Sequence, residues 1–288
     1  MSSASLPLRR LAVECVGLMA TLDVEYSNMR TPDIMALFYE ETDRELKNIC
    51  LSLVGDQVVA HGMAKISVWL ALDERTKHEK LIKVVEQDLS LVDDMDTIFN
   101  ATRIAAKLFI HETTLSEGTR CMSLMAYRLF HPSALCHRLL RSCIVEFFRV
   151  YGGQGRHHQM NLCDAVIDMV YILNNRMYKE IVNYDQPARA FQLIIGVAAP
   201  SKQQNANSTL ASPHGKFSSS HIGLLRQLLD LLEKCMDERY IRDILAEVVL
   251  SCELTGMTEP VLNSIYSKAF QLYDVCYLPS SSKYDIIS

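Results

Sequence analysis

Leu8, Leu11, Cys15, Leu18, Met19 and Leu22 recur at the three- and four-residue intervals of one helix face, and the same rhythm returns along most of the chain. This spacing predicts a first helix from Leu6 to about Asp23, with that stripe packed inward. Thr31-Pro32-Asp33 supplies a cap, a proline suited to a first helical position and an acid for the first turn. A second helix is therefore expected to open there, with Ile34, Leu37 and Phe38 inside. Gly55-Asp56 reads as a break before a helix carrying Val59, Met63, Ile66, Trp69 and Leu70. Asp73 to Thr76 precedes another carrying Leu81, Ile82, Val85 and Leu89, and these two are expected to pair antiparallel.

Beyond Asp93-Asp94-Met95-Asp96 the pattern predicts helices at Thr97 to Ile110 and Ser116 to Phe130. His131-Pro132-Ser133 then stops one helix and caps the next, Ala134 to Tyr151, which closes at Gly152-Gly153. Further helices are expected at 158–176, 187–199, 221–236, 238–254 and 259–276. Strand-like alternation is not sustained anywhere. About a dozen helices joined by short connections, at a pair spacing of roughly 40 residues, predict an all-α fold of irregular α-solenoid type, HEAT- or armadillo-like. No repeat consensus recurs.

From Pro200 to Ser220 the composition changes to Lys, Gln, Asn, Ser, Pro and Gly, with Leu210 and Phe217 the only large apolar residues. The expected organisation is a helical array over 1–199, a flexible loop or linker at 200–220, C-terminal helices continuing the array over 221–278 and a tail at 279–288. The alternative is that 200–220 separates two domains. Ser212-Pro213 lies in this stretch as a candidate phosphorylation point.

The composition is that of an ordinary folded protein, with 49% hydrophobic and 22% charged residues in a chain of 288. A formal charge of −5 gives no whole-molecule attraction to nucleic acid or anionic lipid, so a partner of either kind has to use a local patch. The 9 cysteines form an odd set without a C-x-x-C pair, as expected of reduced, buried thiols. The N-terminal apolar stretch carries Glu14 and no cleavage site, and no run of about 18 apolar residues occurs. A cytoplasmic or nuclear protein without membrane attachment is expected, and the sequons at Asn100 and Asn207 are read as chance matches.

One local reversal of charge changes the picture. Arg120, Arg128, Arg138, Arg141, Arg149 and Arg156 fall between Arg120 and His158 without a lysine and with the single acid Glu146. In the helix around them, Arg138, Arg141 and Arg149 share an arc of roughly 80°, with Leu139, Leu140, Cys143, Phe147, Val150 and Tyr151 expected on the opposite side. The planar guanidinium fork holds carboxylates in bidentate fashion and stacks on rings, which lysine does not do. The six arginines are therefore the candidate partner-binding ridge. The bland alternative is a solvated face, or pairing with the acid-rich segments Asp33 to Glu45 and Glu79 to Asp96.

Other constellations are weaker. His157, His158, Asp164 and Asp168, with Asn161 and Asn175 near the same side, suit a divalent ion or an acid-base pair, but a polar surface stripe is the simpler reading. The Asp93 to Asp96 cluster sits where a helix needs acidic capping. Gly152-Gly153-Gln154-Gly155 lacks the Lys-Ser/Thr and preceding strand of a phosphate loop. Cys136-His137 lacks the spaced second pair of a zinc site, and no nucleophile motif occurs. No catalytic residue, metal or cofactor is expected. The sequence reads as a non-enzymatic helical scaffold or adaptor, a subunit of a larger complex, binding an acidic or amphipathic segment of a protein partner. The alternatives are a nucleic-acid-associated helical protein and an all-α enzyme with a site near His157, His158, Asp164 and Asp168.

Overall fold

A computed structural model describes residues 5–66, 73–91, 94–111, 118–174, 187–198, 221–234, 239–252 and 258–277. Among these residues there are thirteen α-helices and no strand. They are α1 (Leu6–Leu22), α2 (Val24–Glu40), α3 (Arg44–His61), α4 (Glu74–Leu89), α5 (Met95–His111), α6 (Thr119–Arg128), α7 (Pro132–Leu135), α8 (Arg138–Gly153), α9 (Arg156–Asn174), α10 (Pro187–Ala198), α11 (His221–Lys234), α12 (Arg239–Leu250) and α13 (Glu259–Tyr277). Packing divides the chain into two compact units, Met1–Tyr151 and Gly152–Ser288. The expected loop at 200–220, Ser212, Asn207 and the tail at 279–288 lie outside the described residues.

In the first unit α1 packs on α2 and α3, α3 on α5, and α4 on α5 and α6. Two expected breaks are absent. α2 does not open at Thr31: it starts at Asp23, whose carboxylate accepts from the N–H groups of Glu25 and Tyr26, and runs through Pro32. Pro32 removes one bond of the helical ladder. A buried network in the same turn ties it to α3: Thr31 Oγ1 donates to Ser27 O at 2.7 Å, and Ser27 Oγ donates to Gln57 Oε1 of α3 at 2.7 Å. Nor does Gly55-Asp56 interrupt α3. A Cβ on Gly55 would stand 3.0 Å from the Ile104 side chain of α5, so this glycine permits a close helix crossing and does not end the helix. Met63 and Ile66 are buried just beyond α3, around a short 3₁₀ turn at Met63–Lys65, while Trp69 and Leu70 lie outside the described residues.

The starts of α4 and α5 follow from their acids. Asp73 caps α4 by accepting from Thr76 N at 3.0 Å, and Leu81, Ile82, Val85 and Leu89 are buried as the spacing predicts. Asp94 receives both Thr97 N and Thr97 Oγ1, the capping role expected of that acidic cluster. α4 packs on α5 and α6 and on the 3₁₀ turn at Met63–Lys65, and Lys77 Nζ donates to Ile66 O at 3.1 Å.

The phase of α1 is reversed from the expectation. Val13, Gly17 and Ala20 face the core, while Leu8, Leu11, Leu18, Met19 and Leu22 are 54–87% exposed and Cys15 is exposed. The reason lies at Gly17, where an added Cβ would come within 2.3 Å of the Leu53 side chain. The small face of α1 lets its backbone approach α3 closely, and periodicity alone does not distinguish a face of small residues from a solvated one.

The second unit follows its expected helices within a few residues. α9 packs on α10, α11 and α12, α12 also on α10 and α11, and α13 on α11. Leu162, Val166, Met169, Phe191, Ile194, Leu228 and Leu245 are wholly buried. His221 Nε2 lies 3.2 Å from Ile195 O, tying α11 to α10. Of the described cysteines, Cys50, Cys121, Cys163 and Cys252 are buried and Cys143 half-buried, whereas Cys15 and Cys136 are exposed.

Candidate functional site

The arginine-bearing segment is two helices and not one. α7 is a single turn in which His131 Nδ1 accepts from Ser133 N at 3.3 Å, and the chain then breaks at Cys136-His137. His137 Nδ1 accepts from Leu140 N at 3.0 Å, so this imidazole caps α8 in the way Ser or Asp ordinarily does. The His137 ring also lies against Phe99 of α5, with centroids 5.3 Å apart.

α8 is held by one apolar face. Leu140, Ile144, Phe147, Phe148 and Tyr151 are buried, and the rings of Phe147 and Tyr151 stand 6.1 and 6.3 Å from that of Phe109. Leu139 and Val150, expected in that face, are instead 66% and 40% exposed. Ile144 and Phe148 set the phase, turning Leu139 and Val150 out beside the polar side.

Arg138, Arg141 and Arg149 are exposed, as their shared arc requires. Arg138, Arg141, Ser142, Val145 and Glu146 line a shallow concavity of about 500 Å³. Arg149 Nη1 is 3.3 Å from Glu146 Oε2, a solvated i,i+3 pair of little energetic weight. Among the described residues neither Arg138 nor Arg141 has an acidic partner. Three acids of the acid-rich segments are engaged elsewhere: Glu41 with Arg9, Asp43 with Arg10 at 2.9 Å and Asp94 with Arg44 at 2.9 Å.

The other three arginines separate. Arg120 is exposed on α6 and Arg156 is exposed at the start of α9, in the second unit. Arg128 is a correction to the expected ridge: at 2% exposure it is buried, and its guanidinium donates to the carbonyls of Leu89 and Leu91 and lies 5.6 Å from the Tyr127 ring. It closes the C-terminal end of α4 from within. A sequence pattern cannot separate a solvated arginine from one that replaces water at carbonyls, because both occur on otherwise apolar helices.

On α9, His157 and His158 are neighbours, with ring centroids 5.9 Å apart, and Asn161 Nδ2 is 3.5 Å from His157 Nε2. Burial, then His157, lowers the pKa of His158; burial, then the like charge of Asp168, raises that of Asp164. Among the described residues no group of three or more His, Cys, Asp or Glu is placed to hold a metal. Also among them, no helix is long and apolar enough to cross a membrane.

The sequence matches the family described as "Nuclear condensing complex subunits, C-term domain" (Cnd3) over residues 1–254. The fold is similar to that in the crystal structure of the S. pombe condensin Cnd3-Cnd2 subcomplex, with 15% identity and a TM-score of 0.67. That likeness covers 97% of this chain and 35% of the other, so the chain spans about a third of the length of the one it resembles. It agrees with the all-α, irregular α-solenoid expected from the helix periodicity. No curated protein matches the chain.

Proposed function

Because a chain matched over residues 1–254 belongs to the family of nuclear condensing complex subunits, we propose that it serves as a non-enzymatic helical scaffold within a nuclear, chromosome-associated complex. In this reading α8 is a docking face for a protein partner of the Cnd2 type, the subunit joined to Cnd3 in the solved subcomplex. The partner supplies an acidic or amphipathic segment.

The observation that carries the reading is the state of Arg138 and Arg141. Both are exposed on a rigidly packed helix, line one concavity, and have no acidic partner among the described residues, although Asp43 and Asp94 of the same unit are paired with other arginines. Two guanidinium forks one helical turn apart suit successive carboxylates on a helical or extended segment. Leu139 and Val150, exposed beside them, offer the apolar contact that an amphipathic segment requires, and Glu146 disfavours an acid at its end of the concavity. Arg149, on the same arc, and Arg120, exposed on α6, belong to the proposal as flanking charge, and Arg156, in the second unit, is left out of it.

The test is co-expression with the Cnd2-type subunit of the same organism, comparing the wild type with a variant carrying Arg138→Glu, Arg141→Glu and Arg149→Glu. Recovery of the partner is expected to fall at least tenfold, with the melting temperature within about 2 °C of the wild type because all three side chains are exposed. Undiminished recovery overturns the docking face. Intact partner recovery together with loss of salt-sensitive DNA retention would transfer the arginines to the nucleic-acid reading.

A further inference from the structure

The helix that carries Arg138 and Arg141 opens on a histidine. The His137 carbonyl accepts the first helical bond, from Arg141 N at 3.2 Å, and its Nδ1 accepts from Leu140 N at 3.0 Å. Ser, Thr, Asp and Asn cap helices with an oxygen that stays an acceptor throughout the neutral range. An imidazole nitrogen accepts only while it is unprotonated, and histidine is the side chain whose charge changes between about pH 5 and 8. The turn closed by this bond is the one from which Arg138 and Arg141 extend.

His137 is half-buried and its ring is held from the side of α5. It lies on Phe99 with centroids 5.3 Å apart, and the Arg103 guanidinium stands 5.9 Å from the same Phe99 ring. Burial raises the pKa of the Cys143 thiol on α8, with Arg103 opposing, so that guanidinium stands beside α8 as well. The ionisable side chains of these elements near His137 are Asp96 and Arg103, one turn before and after Phe99, Arg138 and Arg141 on α8, and His131 and Cys136 in the chain before it. A proton on Nδ1 takes the capping bond from α8. It also adds a positive charge beside Arg103, Arg138 and Arg141, at the positive end of the helix dipole.

We propose that His137 is the positioning residue of the α8 docking face and makes capture of the partner's acidic segment sensitive to pH. The inference rests on the docking role of Arg138 and Arg141 given above. With Nδ1 bare, the capped first turn holds both guanidinium groups in place along their concavity. With Nδ1 protonated, one donor faces another at Leu140 N, the turn frays, and the arginines lose the alignment that bidentate binding of carboxylates requires. Arginines and the partner's carboxylates keep their charge between about pH 6 and 7.5, so the attraction between them is constant over that interval. His137 itself does not line the concavity, and its charge reaches a docked carboxylate screened by water. Docking therefore weakens as pH falls, by about fivefold, the size of one lost N-cap.

The experiment titrates the Cnd2-type subunit of the same organism against the full chain at about pH 7.5 and about pH 6, at one ionic strength. The chains compared are the wild type, His137→Asn, His137→Ala, and Arg138→Glu with Arg141→Glu. Wild-type affinity is expected to fall about fivefold at the lower pH. His137→Asn, whose amide oxygen caps at either pH, should hold its affinity, and His137→Ala should be weakened at both. Hydrogen exchange of the chain without partner should show the Leu140 amide less protected in the wild type than in His137→Asn at the lower pH, and equally protected at the higher. Equal pH dependence in the wild type and His137→Asn overturns the proposal, as does tighter binding at the lower pH. Loss of Leu140 protection without loss of affinity reveals a cap that does not position the arginines, and overturns it too. The arginine variant separates the two readings. If it binds as tightly as the wild type, the docking role fails and the proposal with it; if it binds weakly while the wild-type profile is flat, only the role of His137 is removed.

Discussion

Single side chains in this fold carry roles that their types do not announce. Arg128 is the clearest case: a buried guanidinium that donates to the carbonyls of Leu89 and Leu91 is structural, and its substitution by methionine removes that donor from both acceptors. Arg128→Met is expected to lower the unfolding free energy by about 2–4 kcal/mol in urea titrations while leaving capture by the α8 face unchanged. A loss below about 0.5 kcal/mol would mean that the guanidinium adds nothing to the fold. Asp88 gives a second residue-scale prediction. Burial pushes its pKa from 3.8 up to about 6, Lys47 opposing and Asp94 adding to the shift. An acid whose folded pKa is raised contributes most below its unfolded value and loses that contribution as pH rises toward 6. Asp88→Asn should therefore gain on the wild type between about pH 4 and 6 and stay ahead by about 2 kcal/mol at neutral pH, after allowance for solvent screening. A flat difference across that interval would show the carboxylate to be well solvated. Glu41, Asp43 and Asp94, held low by N–H donors and arginines, set the opposite trend in acid.

At the scale of elements, most helices were legible because their apolar positions keep the 3.6-residue period and their acids stand at the first turn. Asp73 and Asp94 cap α4 and α5 where the pattern puts them. The failures share one cause. Gly55 and Pro32 are breakers by local rule, and here each is overridden by a neighbouring helix: Ile104 beside Gly55, and the Gln57 network beside Thr31-Pro32. In α1 the same tertiary demand inverted the buried face. Gly17→Ala is expected to destabilise the first unit by about 1–3 kcal/mol despite alanine's better helix propensity, since the new Cβ meets Leu53. Shortening the neighbour in a Gly17→Ala, Leu53→Ala double variant should recover part of that loss relative to Leu53→Ala alone. Additivity of the two changes in thermal melts would argue against the close approach of α1 and α3.

For the molecule as a whole, the contrast is between paired acids and unpaired arginines. A chain of net charge −5 satisfies its acid-rich N-terminal segments with Arg9, Arg10 and Arg44 and leaves Arg138 and Arg141 facing solvent without an acidic partner among the described residues. The sequence by itself determined the all-α class, the positions of most helices and the arginine run, because each of these follows from local spacing and residue chemistry. Tertiary structure decided the buried face where the pattern allowed more than one, in α1 and at the edges of α8. It took Arg128 inside, turned Leu139 and Val150 out, split the expected Ala134 to Tyr151 helix at His137 and left the heavy side of α1 in solvent. The reason is that periodicity states only that a helix has two sides, whereas burial depends on which neighbours have room, and that is set by contacts such as Gly17 on Leu53 and Phe109 on Phe147.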